Sequence, residues 1–320
     1  EVLSINDAPV ITSIPPSEIY LNEEFQYIIE VDDPDDTQFI FELNNEPNGM
    51  ELNENIITWL PTITDLFGPI ELIVTDMNLE NPQSSIQEFY LDVRLSQDFS
   101  LHSGNNLISY LGILEDNSIE NMLSDLSDNI IQISTENYAA ILQEDGTWIG
   151  SLDYIEPTKG YWVRLNDNDE YGIATYQTSI SQTYTLHMGW NLISYIGEDG
   201  IALDDALPDD IELLFTDIMS ENVVAIRDDN GEWVGSLANI GWQHLKGYWV
   251  YVLEDIEFSF ENTNDLPRIV NNLIPDYNLL KQSNFEYKQS QSQTFYYFKD
   301  IKIENESITE DDWIIAYYND

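Results

Sequence analysis

Leu101-His102-Ser103-Gly104-Asn105-Asn106-Leu107-Ile108-Ser109-Tyr110 returns as Leu186-His187-Met188-Gly189-Trp190-Asn191-Leu192-Ile193-Ser194-Tyr195. Downstream, Asp145-Gly146-Thr147-Trp148 returns as Asn230-Gly231-Glu232-Trp233, and Lys159-Gly160-Tyr161-Trp162-Val163 as Lys246-Gly247-Tyr248-Trp249-Val250. The first two pairs share an offset of 85 residues (186 − 101 and 231 − 146) and the third is offset by 87 (247 − 160), so one short loop insertion separates two tandem copies of one module. Duplicated conspicuous residues point to a repeated scaffold and not to a single active site.

Each copy opens with a strand that runs through a Gly-Asn-Asn or Gly-Trp-Asn turn into Asn-Leu-Ile-Ser-Tyr. A patch with helical spacing follows, Ile119–Leu126 in the first copy and Leu203–Leu207 in the second. Strands resume around the Asp145-Gly146 and Asn230-Gly231 hairpin signals, whose neighbours Glu144, Asp228 and Asp229 also invite a cation, and the hairpin reading is preferred. The copies, assigned to residues 98–180 and 181–262, are read as small β-rich α+β modules.

Outward from the repeats, residues 1–97 alternate apolar and polar in short runs such as Phe25–Val31, Ile56–Leu60, Ile70–Val74 and Phe89–Val93, separated by turn clusters at Asp33-Pro34-Asp35-Asp36, Glu46-Pro47-Asn48-Gly49 and Asn81-Pro82. Strands at this spacing predict an antiparallel sandwich. Asn6-Asp7-Ala8-Pro9, Asp33-Pro34-Asp35, Pro47-Asn48-Gly49-Met50, Thr58-Trp59-Leu60-Pro61-Thr62 and Val74-Thr75-Asp76 resemble, in order, the dystroglycan-type cadherin-like or Ig-type domain of bacterial surface proteins. The resemblance implies an Ig-like sandwich in an extracellular multidomain chain, with calcium held between domains. Here Asp36 stands where Gly is usual and Thr37 where a further Asp often follows. The two repeats resemble modules found beside surface domains of marine and Bacteroidetes-like bacteria, a similarity that implies no activity.

Residues 263–320 are read as a linker and the first part of a further β domain, from Gln293–Phe298, Ile301–Ile303 and Asp311–Tyr318. They resemble a surface-protein domain that normally continues with more strands. A sheet interrupted at Asp320 implies a fragment, or completion by a neighbouring chain. The start at Glu1 without Met likewise leads us to expect a mature or excised segment.

Sixty acidic against ten basic residues give a net charge of −50, which argues against nucleic acid and anionic lipid as partners. With 42% apolar and 12% aromatic residues the chain nonetheless has the material for buried cores. Diffuse negative charge is self-repelling unless salt screens it or divalent ions neutralise it, so a saline, calcium-containing medium is expected. There is no cysteine, hence no disulfide or thiolate site, and no apolar run approaches the roughly 20 residues of a membrane helix.

Calcium takes six to eight hard oxygen ligands. Asn6 and Asp7, Asp33 and Asp35 in the Asp-Pro-Asp turn, and Asp76 at a strand end are the candidate set, against the alternative that they are ordinary turn residues. Adjacent Asp32 and Asp36 stand in reserve. Trp148, Tyr161, Trp162, Trp233, Tyr248 and Trp249 are duplicated and fall between apolar neighbours, where core packing is the default. Trp190 and Trp242 lack aromatic counterparts in the first copy and are the candidate ligand-facing aromatics. His102 and His187, at equivalent positions, are read as local structural residues, and with His244 they are too scattered for zinc. Neither a Gly-x-Ser-x-Gly elbow nor a phosphate-binding loop occurs, so an enzyme is not expected. The expectation is a mainly β, non-catalytic, cell-surface or secreted segment of a prokaryotic protein. It would be a stalk, adhesin or filament subunit stiffened by Ca2+, with copies of itself or other surface proteins as partners. The alternative is a carbohydrate-binding accessory region of a secreted hydrolase, with polysaccharide as partner.

Overall fold

A computed structural model describes residues 6–261, together with a two-residue ladder in which Lys302–Ile303 pairs with Glu306–Ser307. The remainder of the expected C-terminal β domain lies outside the described residues. The described protein is mainly β, with antiparallel ladders throughout except for one parallel pair.

In the N-terminal sandwich, Phe25–Ile28 pairs with Ile56–Trp59 and this with Glu51–Asn53, forming one sheet. Facing it, Phe39–Asn44, Asp65–Asp76 and Ser84–Leu101 form the second, to which Glu18–Tyr20 adds in parallel. Strict alternation sends Phe25, Tyr27, Ile57 and Trp59 from one sheet and Ile70, Leu72, Val74, Phe89, Leu91 and Val93 from the other into one buried core.

Each repeat builds the same five-stranded antiparallel sheet. In the first the order is Gly104–Ile108, Tyr161–Leu165, Ile130–Ser134, Ala139–Leu142, Trp148–Gly150; in the second it is Gly189–Ser194, Gly247–Val252, Phe215–Ser220, Val223–Arg227, Trp233–Val234. Even the irregularity is duplicated: the register slips between Ile130 and Gln132 and between Phe215 and Asp217, positions again 85 apart (215 − 130 and 217 − 132). The Gly-Tyr-Trp strand lies second in both sheets, paired on each side, and Tyr161 and Tyr248 point from it into the buried core of their repeat. Gly146 and Gly231 turn the hairpins at φ +82° and +84°, conformations that glycine adopts without steric cost.

The copies differ in their helices. Ile119–Met122 forms a short α-helix whose first turn is capped by the Ser118 hydroxyl, as the spacing predicts. In the second copy the Leu203–Leu207 patch forms turns instead, because Pro208 disfavours helical geometry at the residue before it. The second repeat's helix is Ser236–Ile240. It occupies the two-residue insertion, since Leu152 and Leu237 are 85 apart (237 − 152) whereas Ile155 and Trp242 are 87 apart (242 − 155).

The expected boundary at residue 97 falls inside a single strand. Ser84–Leu101 pairs with Asp65–Asp76 over its first part and with Asp169–Gln177 over Leu95–Leu101, so one strand belongs to both the sandwich and the first repeat.

Candidate functional site

The acidic pole of the sandwich gathers the five expected residues through direct contacts. Asn6 donates through Nδ2 to Asp76 Oδ2 at 2.7 Å, and Asp7 N donates to Asp35 Oδ2 at 3.0 Å. Asp33 Oδ1 accepts from the backbone N–H groups of Asp35 and Asp36, closing the Asp-Pro-Asp turn. Asp76 is buried. Burial alone would raise its pKa, but hydrogen bonds from Asn6, Asn78 N and Gln83 N outweigh it and hold the carboxyl below its ordinary range. Asp36 moves the other way, raised first by desolvation and then by the Asp76, Asp33 and Asp35 carboxylates. The donor chemistry suits a hard cation, and Asp33 Oδ2 is buried without a hydrogen-bond partner. The geometry, however, is not a ready cage: among the described residues no group of three or more His, Cys, Asp or Glu side chains stands close enough to hold a metal ion.

At the first junction, Arg94 grips Asp92 with two hydrogen bonds of 2.8 and 2.7 Å, and its guanidinium lies 4.1 Å over the ring of Tyr176 from the first repeat. Tyr176 also donates to Asp92 at 2.9 Å, and Gln177 N donates to Thr64 Oγ1 at 2.8 Å. Gln97 is buried in the shared strand. Its amide donates to Gly112 O and Thr175 Oγ1 and accepts from Leu111 N, so every polar end is satisfied.

The two repeats meet in a reciprocal seam. His102 Nε2 contacts Glu221 Oε1 at 2.5 Å, while His187 Nε2 contacts Glu136 Oε1 at 2.6 Å. The second oxygen of each glutamate accepts the backbone N–H of Leu107 or Leu192, at 3.2 and 3.3 Å. Ser109 N donates to Leu245 O and Ser194 N to Thr158 O, both at 3.1 Å. Single bridges join Ile108 to Lys246 and Ile193 to Lys159. Residue i of one copy thus touches residue j of the other and the reverse, the hallmark of an isologous interface, built here within one chain. Gly160 and Gly247 sit where it closes: a Cβ on Gly160 would stand 2.8 Å from Ile193 O, and one on Gly247 would stand 2.8 Å from a Leu107 methyl. A cavity of about 220 Å³ beside the His102–Glu221 contact is lined by His102, Asn106, Glu221, Gln243, Lys246 and Tyr248.

His102 and His187 therefore reach across the interface and are not merely local. Sequence reasoning missed this, although the signal existed: Glu136-Asn137 and Glu221-Asn222 recur at the same offset as the two histidines (221 − 136 and 187 − 102, both 85).

The two candidate ligand-facing aromatics separate. Trp190 is 37% exposed and meets Tyr251 edge to face, with ring centroids 5.3 Å apart. Trp242 is corrected: it is fully buried, donates to Leu203 O at 3.0 Å and stacks on Tyr195, replacing the buried Ile155 of the first copy. No membrane-crossing helix occurs among the described residues.

No family model matches the chain, and no curated protein matches it. Among solved structures it is similar to SGBP-B of the mixed-linkage glucan utilization locus of Bacteroides ovatus, solved in complex with a mixed-linkage heptasaccharide, at 12% identity and a TM-score of 0.22, with 78% of this chain covered. The chain spans 62% of the length of that protein. The superposition is too loose to carry anything from one protein to the other.

Proposed function

We propose that this chain is a non-catalytic spacer segment of an extracellular surface protein, in which three β modules are joined so that they keep their mutual orientation. The observation that carries this reading is the strand Ser84–Leu101, whose backbone ladder runs from the sandwich into the first repeat without a linker. The reciprocal seam does for the second junction what the shared strand does for the first. Calcium is part of the proposal as a secondary, diffusely bound stabiliser of the acidic pole, where the charges of Asp76, Asp33 and Asp35 repel that of Asp36 and a cation would relieve the repulsion.

Small-angle scattering of the chain in calcium and in chelator tests the reading. One conformer with an unchanged curve in both media is expected, and a broad spread of inter-module distances would overturn it. Melting under the same conditions isolates the calcium component: a lower midpoint in chelator is expected, and an unchanged midpoint removes calcium from the proposal while leaving the spacer intact.

A second reading is favoured by Trp190 and Tyr251. The first repeat forms the same sheet with Asn105 and Arg164 at these positions, so the fold does not require the exposed Trp190 or the half-buried Tyr251 beside it. An aromatic face of this kind suits the C–H face of a neutral sugar. Binding of a neutral polysaccharide that disappears in Trp190→Ala would support it, and no binding to any neutral glycan would sink it.

A further inference from the structure

The imidazoles of the seam have acceptors on both sides. His102 Nδ1 lies 2.7 Å from Ser103 O and its Nε2 2.5 Å from Glu221 Oε1; His187 repeats the arrangement with Met188 O at 2.9 Å and Glu136 Oε1 at 2.6 Å. A carbonyl and a carboxylate only accept, whereas a neutral imidazole has one N–H. Satisfying both neighbours therefore requires the doubly protonated ring, and losing a proton sets a nitrogen lone pair against an oxygen lone pair.

We propose that the seam is a pH-operated clasp, in which the imidazolium ions of His102 and His187, each held between its own repeat's carbonyl and the other repeat's glutamate, fasten the two repeats together and release as they deprotonate. The glutamates couple this to the backbone, because each also accepts a strand N–H of the opposite repeat, that of Leu107 or Leu192. No other side-chain type has its ordinary pKa between 5 and 8, and the chain has three histidines and no cysteine, so little else titrates in this range.

The direction follows from the neighbours. His102 is raised above the ordinary 6.5, first by its Glu221 hydrogen bond and then by the Ser103 carbonyl, with Lys246 opposing. His187 is raised by Glu136 and the Met188 carbonyl, with Asp255 reinforcing. A raised folded pKa means that the stabilisation is complete below about pH 6.5 and is lost as pH climbs through the folded values. Both rings are about half exposed, which keeps each clasp within the range of surface ion pairs, up to about a fivefold change in the opening constant.

The test is an NMR titration of the histidine-labelled full chain, which has three imidazole signals, combined with hydrogen exchange at Leu107 and Leu192. His102 and His187 should titrate above 6.5, and amide protection corrected for intrinsic exchange should fall up to about fivefold across the same interval. In Glu221→Gln the His102 midpoint should return toward 6.5, and in Glu136→Gln the His187 midpoint should do so. Wild-type midpoints at or below 6.5, or protection that does not follow them, would overturn the proposal even if neither variant folded.

Discussion

The two repeats share one sheet order, one slipped register and one seam, yet they fill an equivalent corner with opposite chemistry. In the second, Arg227 is buried beneath Trp233, its guanidinium 4.3 Å from the ring, and hydrogen-bonds Phe215 O, Glu212 O, Gly231 O and the Asp204 carboxylate. Trp233 Nε1 also donates to Asp204 at 2.8 Å. In the first repeat the position of Arg227 is held by Leu142, which packs against that repeat's core (227 − 142 = 85). That of Asp204 is held by exposed Glu120, because Asn117 O and Ile201 O accept equivalent amides, those of Ile155 and Trp242, so the offset there is 84 (201 − 117 and 204 − 120). The fold thus tolerates an apolar side chain where the second repeat buries a guanidinium with its carboxylate. Where the copies agree is the seam, which identifies the interface as what both copies must supply.

Breaking one member of the ion pair should have the largest effect. Asp204→Ala leaves a buried guanidinium uncompensated and should cost about 3–5 kcal/mol in urea denaturation. Replacing both members, Asp204→Ile with Arg227→Leu, exchanges the ion pair for apolar side chains and should lie between neutral and about 4 kcal/mol more stable. If the double replacement is as damaging as the single one, the corners are not interchangeable and the comparison fails.

The seam offers a sharper version of the same comparison. Gly247→Ala would set a methyl 2.8 Å from Leu107 and 2.9 Å from Ile108 O, and Gly160→Ala would set one 2.8 Å from Ile193 O and 2.9 Å from Leu192. Each should cost about 1–3 kcal/mol, as overpacking does, and the two costs should agree because the contacts are reciprocal. A large effect at one glycine and none at the other would show that the symmetry is geometric but not energetic.

What the residues alone disclose follows the range of the interaction. The strands, the Gly-turned hairpins and the duplicated cores were legible because their patterns are local, and Pro208 carried the warning that the second helical patch would not form. The shared strand was also written in the residues: apolar or buried positions recur at Phe89, Leu91, Val93, Leu95, Gln97, Phe99 and Leu101 without a break, but polar Gln97 invites a domain boundary where the structure buries it with its hydrogen bonds made. The clasps were faint, because His102 and Glu221 are 119 positions apart and His187 and Glu136 are 51 apart, and only the shared 85-residue offset of the two pairs links them. Trp242 was misjudged because its partner position holds Ile155, and a missing aromatic counterpart says nothing about which side of a sheet a ring faces.

The smallest expected effect separates fold from binding on the open face of the second sheet. Trp190 and Tyr251 stand on neighbouring strands in register, as Asn105 and Arg164 do in the first copy. Trp190→Asn combined with Tyr251→Arg gives the second repeat the outer residues of the first. Substitutions that neither open a cavity nor bury a polar group stay within about 0.5 kcal/mol, so the melting midpoint should barely move while binding to a neutral glycan disappears. A loss well above 1 kcal/mol would mean that the aromatic pair holds its own sheet together, and the difference between the repeats would then be one of packing.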